Sequence, residues 1–129
     1  MSKKYDDFVE FVLNNEFSYQ EENKKTYARR SKMILRDVAK RLELKEWKVD
    51  YNPGGIAVGG DTTLIGLWEE GNGIYISMDP ESNWNGHQFL YRSVAHMTDW
   101  TGGRNQWMPF TDLVDIDNVI KKLRNVGRE

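Results

Sequence analysis

Hydrophobic and polar positions change period three times along this chain. From about Lys3 to Asn15, the residues Tyr5, Phe8, Val9, Val12 and Leu13 recur at i, i+3, i+4 spacing, which predicts a short amphipathic helix. Ser18-Tyr19-Gln20-Glu21 then fits a capping box, with the serine oxygen accepting from an amide of the first turn and Glu21 reaching back. A long helix is predicted to follow, to about Leu44. Its apolar positions Tyr27, Ala28, Ile34, Leu35, Val38, Ala39 and Leu42 fall within about 140° of arc at 100° per residue, a stripe that faces a core.

The period becomes two from Trp47 to Met78. Trp47, Val49 and Tyr51 alternate with Lys48 and Asp50, and Ile74, Ile76 and Met78 alternate with Tyr75 and Ser77. The run Thr62–Trp68 is apolar on both faces, as expected of a central strand. Glycine, asparagine and proline mark the connectors Asn52–Gly55, Gly59–Asp61 and Gly71–Gly73, so the three strands are predicted to form antiparallel hairpins.

Beyond Asp79 the pattern is mixed. Asp79 to Gly86 reads as a polar loop holding Trp84. Residues His87 to Met97 are rich in aromatic and β-branched side chains and are assigned as a strand, although Leu90, Val94 and Met97 also permit a helix. Thr98 to Trp107 is a loop by composition. A last helix is expected from about Asp112 or Asp115 to Val126, with Leu113, Ile116, Ile120 and Leu123 on one side and Gly127 at its left-handed end. The expected fold is α+β in a single domain, residues 1–129, with two N-terminal helices, an antiparallel meander of three to five strands, a long Trp/Gly loop and a C-terminal helix, the helices packed on the sheet.

Composition narrows the function classes. At 129 residues, 39% hydrophobic and 12% aromatic, the chain is a one-domain globular protein and not a disordered one. It has no cysteine, which excludes disulfides and thiolate metal sites and suits a reducing compartment. The first residues carry charge without an apolar h-region, and no run approaches the ~20 apolar residues that span a bilayer, so a soluble cytoplasmic protein without membrane contact is expected.

Net charge is −2, unevenly placed. Lys24 to Leu42 holds eight Lys/Arg and one acid, whereas Glu46 to Asp117 holds eleven acids and three bases. Lys25, Arg29, Lys32, Arg36 and Lys40 share about 80° of the long helix and span about 22 Å at 1.5 Å per residue. Such a row can track a nucleic-acid backbone, but no base-reading motif accompanies it.

The loop near the C-terminus is the other candidate surface. Trp100 and Trp107 bracket Gly102-Gly103, Arg104 and Asn105, and Trp84 and Tyr91 are expected nearby. Tryptophan and arginine are the side chains that dominate interface energetics, and Arg104 can grip a carboxylate bidentately. We expect a non-enzymatic protein that engages another protein through Trp84, Trp100, Arg104, Asn105 and Trp107. Small proteins of this size and charge include phage- or plasmid-borne inhibitors of nucleic-acid-binding enzymes. A homodimer is the alternative use of an exposed sheet face.

Chemistry is sparsely represented. His87, His96 and Asp99 contain the residue types of a divalent metal site, and Ser93, His96 and Asp99 those of a triad, without a nucleophile elbow. Gly54-Gly55 and Gly59-Gly60 lack the Lys-Ser/Thr ending of a phosphate loop. Asp79 and Glu81 flank Pro80 as solvated loop acids. No catalytic set, metal or cofactor is assigned; a small metal-dependent enzyme is the third-ranked reading.

Overall fold

A computed structural model describes residues 3–55, 60–81, 87–99 and 103–127. Helix α1 spans Lys3–Asn14 and α2 spans Glu21–Arg41. Five strands follow: β1 Glu46–Asn52, β2 Asp61–Leu67, β3 Gly73–Met78, β4 Gln88–Val94 and β5 Gln106–Pro109. A 3-10 turn, Phe110–Asp115, leads into α3, Ile116–Arg124. The strands pair in sequence order, every neighbour antiparallel.

The period-two pattern sorts the two sheet faces. Leu64, Ile74, Ile76, Met78, Phe89 and Met108 join the helices' apolar residues in one buried cluster, with Trp47, Val49 and Tyr51 at its margin. Tyr5, Phe8 and Val12 of α1, Tyr27, Ile34, Leu35 and Val38 of α2, and Val119 and Leu123 of α3 all belong to it. The helices therefore cover one face. Ile65 and Val94, buried on the other face, are not members of that cluster.

Polar contacts fix the helices on the sheet. The Tyr27 hydroxyl, fully buried, donates to the Met78 carbonyl at 2.5 Å. Ser31 Oγ donates to the Tyr27 carbonyl at 2.6 Å and lies 2.5 Å from Thr62 Oγ1. Trp68, just past β2, donates its indole N–H to the Leu42 carbonyl at 2.8 Å. Between α1 and α2, the Tyr5 hydroxyl and Arg41 Nε both donate to Asp37 Oδ2, at 2.6 and 2.8 Å. Burial disfavours the Asp37 charge, but those two hydrogen bonds and the charges of Arg41 and Lys4 outweigh it and hold the carboxyl below its usual range.

Two expectations are corrected here. Ser18 does not cap α2: the helix begins after Gln20, which makes no side-chain cap, and Tyr19 is left-handed at φ +60°. The Ser18 hydroxyl donates to Glu81 Oε2 at 2.5 Å, which holds it toward the β3–β4 connection. The Thr98–Trp107 segment is not loop throughout, because Gln106 and Trp107 open β5, paired with Tyr91 and Leu90 of β4. Gly71, at φ +99°, turns β2 into β3, where its N–H reaches the Trp68 carbonyl at 3.0 Å.

Candidate functional site

β5 decides how the aromatic segment is presented. Its short alternation places Met108, 2% exposed, on the core face and Trp107, 38% exposed, on the face to which no described helix packs. On that outer face cross-strand neighbours form two rows: Lys48–Ile65–Tyr75–Arg92 and Asp50–Thr63–Ser77–Leu90–Trp107. The Arg92 guanidinium stands 4.4 Å from the centroid of the Tyr75 ring, a cation–π pair in the middle of the sheet. Trp107 is directly opposite Leu90 and diagonal to Arg92, within reach of both. Burial, with the Asp61 charge, raises the Tyr75 hydroxyl above its ordinary value; Ser77 and the Arg92 charge pull the other way. The ring is thus a neutral platform carrying one buried cation.

Arg104 and Asn105 lead into β5 and are exposed. Asp99 turns back and accepts the Ala95 N–H at 2.8 Å. No ion pair involves Arg104 among the described residues. Gly103 holds φ +68° with its α-carbon packed against Ser93, where a β-carbon would collide with the Ser93 carbonyl oxygen; only glycine lets the segment lie so close to β4. Trp84 and Trp100, two of the predicted contact residues, lie outside the described residues. Tyr91 is not beside Trp107: it is half-buried on the core face, opposite Gln106.

The sheet-face pair Tyr75–Arg92 was missed as a candidate. The alternation of β3 and β4 places each residue on its strand's other face, but only the register of the two strands makes them neighbours.

The basic row forms as predicted on α2. Lys25, Arg29, Arg36 and Lys40 are exposed and Lys32 partly so. Lys25 approaches Glu22 at 3.8 Å, both side chains largely in water. Arg29, Lys32, Arg36 and Lys40 make no ion pair among the described residues. Lys25 and Ala28 line one pocket with Tyr51 and Pro53 to Gly55, whereas Arg29 lines another with Lys4 and Phe8 of α1.

The histidines are separated. His87 precedes β4 and His96 follows it, with seven strand residues, roughly 23 Å, between them. His96 Nδ1 lies 3.1 Å from Thr98 Oγ1, and Asp99 is committed to the Ala95 amide. Neither the His87–His96–Asp99 metal set nor the Ser93–His96–Asp99 triad is assembled. No group of three or more His, Asp or Glu is placed to hold a metal ion among the described residues. Likewise, no helix among them is long and apolar enough to cross a membrane.

The loop acids are not simply solvated. Burial raises the Asp79 carboxyl above its usual range, and the charges of Asp61 and Glu81 add to the rise, while the Glu81 N–H, donated to Asp79 Oδ1 at 2.9 Å, offsets part of it. No family model, curated protein or solved structure matches this chain.

Proposed function

We propose that this chain is a non-enzymatic binding protein that engages another protein through the outer face of its sheet. Trp107 is the apolar anchor, flanked by Leu90 and the Tyr75–Arg92 pair, and Arg104 and Asn105 supply polar contacts at the rim. The observation that carries this reading is the exposed Trp107 indole on a face to which no described helix packs. Large aromatics left in water on a sheet face mark contact sites. The acid-rich segment from Glu46 to Asp117 favours a basic partner, which is the surface a nucleic-acid-binding enzyme presents; inhibition of such an enzyme is the specific form proposed. A pull-down comparing the wild type with Trp107→Ala plus Arg104→Ala tests this. A partner held by the wild type and lost by the double variant supports the reading, and an unchanged set of captured proteins refutes it.

A second reading is nucleic-acid binding along α2. It is favoured by four cations, Arg29, Arg36 and Lys40, which are exposed, and Lys32, which is partly so, that lack ion pairs among the described residues.

A further inference from the structure

The two edges of the sheet are built differently. β5 is blunt: it has four residues and ends in Pro109, which removes a donor from the ladder. β1 has seven residues without glycine or proline. It pairs with β2 residue for residue, from Glu46–Leu67 to Asn52–Asp61, with no bulge to turn its edge aside. Among the described residues no strand pairs with its outer edge, and no backbone hydrogen bond outside the β1–β2 ladder reaches residues 46–52. An open ladder of this length is a template for one more strand.

The side chains of β1 say which strand fits. Set antiparallel to its own copy about Val49, β1 places Lys48 opposite the copy's Asp50, Trp47 opposite Tyr51 and Glu46 opposite Asn52, each pair occurring twice. Lys48 and Asp50 lie on the outer face with side chains 67% and 51% exposed, 3.4 Å from each other. β2 faces them with Ile65 and Thr63, so their own sheet supplies no counter-charge. Across the new ladder each gains an opposite charge, with β-carbons about 5 Å apart. On the other face Trp47, Val49 and Tyr51 pack against the margin of the buried cluster and are only partly covered. Their cross-strand aromatic pairs carry that cluster from one copy to the next.

Register is specified too. Alternate residues of a strand turn N–H and C=O to the same edge, and each pair named above joins residues of one alternation, so outward donors meet outward acceptors. Moving the axis to Lys48 or to Asp50 sets like charges opposite, which is destabilising.

We propose that β1 is a dimerisation edge, at which two copies of this chain join antiparallel about Val49 to make one continuous sheet, held in register by Lys48–Asp50 pairs. Trp107 and Arg104 take no part in it, so the proposal stands apart from the sheet-face reading.

Sedimentation velocity from ~1 to ~500 µM tests it. Two seven-residue strands make a small interface, so the wild type should dimerise with a Kd of roughly 1–100 µM. Lys48→Asp leaves two acids on this edge and Asp50→Lys leaves two bases; each should weaken self-association about tenfold or more, because like charges then stand opposite. Mixed in equal amounts, these two variants should pair with each other as tightly as the wild type pairs with itself. Lys48→Asp plus Asp50→Lys in one chain keeps every opposite pair, so it should dimerise normally yet reject the wild type as partner, a reading that needs neither single variant to fold. Exposure of both positions favours retained folding, which a thermal melt checks. A wild type that stays monomeric to ~500 µM overturns the proposal. So does self-association that the single variants leave unchanged, or a mixture no tighter than its components.

Discussion

Replacing Arg29 and Arg36 by glutamine should separate the two surfaces by their response to salt. Four cations of the α2 row, Arg29, Lys32, Arg36 and Lys40, are available to phosphates, since none has an ion pair among the described residues. If each neutralises one phosphate of duplex DNA, log K falls against log salt with a slope of about −3.6. Between ~50 and ~200 mM salt that is a loss of roughly 150-fold. The double variant keeps two such contacts, so its slope should be about −1.8 and its loss about 12-fold. Stability should hardly change, because both positions are exposed. Arg29 with Lys32, and Arg36 with Lys32 and Lys40, stand at i, i+3 or i, i+4, so each like-charge neighbour costs a few tenths of a kcal/mol and the variant should melt at or slightly above the wild type. Fluorescence anisotropy of a labelled duplex at several salt concentrations, beside a thermal melt of each protein, measures both quantities. Absence of binding at ~50 mM salt, or a slope that the substitutions leave unaltered, refutes the nucleic-acid reading and leaves the row as a solvated helix face.

Other expected outcomes concern the frame that holds these surfaces. Tyr27→Phe keeps the ring against Phe8 and Phe17 but strips the donor from the Met78 carbonyl; it should cost about 1–3 kcal/mol and lower Tm by roughly 4–11 °C, and urea unfolding that shows no loss would contradict the buried hydrogen bond. Asp37 has a lowered folded pKa, so the stability it lends is present above the unfolded carboxylate range and is lost as pH falls through the folded value; Asp37→Asn should destabilise near neutrality by under about 1 kcal/mol, given the partial exposure, with the difference vanishing in acid. Asp79 has the opposite sign. Its raised folded pKa means that ionisation opposes folding, so Asp79→Asn should stabilise slightly near neutrality and not in acid, a crossing of pH–stability curves that denaturant titration can read.

The local patterns of this sequence settled a good deal. Tyr5, Phe8 and Val12 at helical spacing, Trp47, Val49 and Tyr51 at strand spacing, and glycine with asparagine at residues 71–73 each act within a few residues, and each element formed where its period placed it. The exposed cationic row on α2 follows from the same arithmetic, since a helix's angular positions need no knowledge of its neighbours.

Tertiary structure decided what depends on partners far away in the chain. β5 has four residues and becomes a strand because β4 offers it a ladder, so the side on which Trp107 emerges was not legible in a polar, glycine-rich segment. Tyr75 and Arg92 meet only through the register of β3 with β4. Ser18 leaves the helix-cap role for Glu81, 63 residues away. Periodicity reports which way a side chain points from its own backbone; which atoms then face it is set by the packing of helices and strands, and at that level the candidate sites of this protein were made.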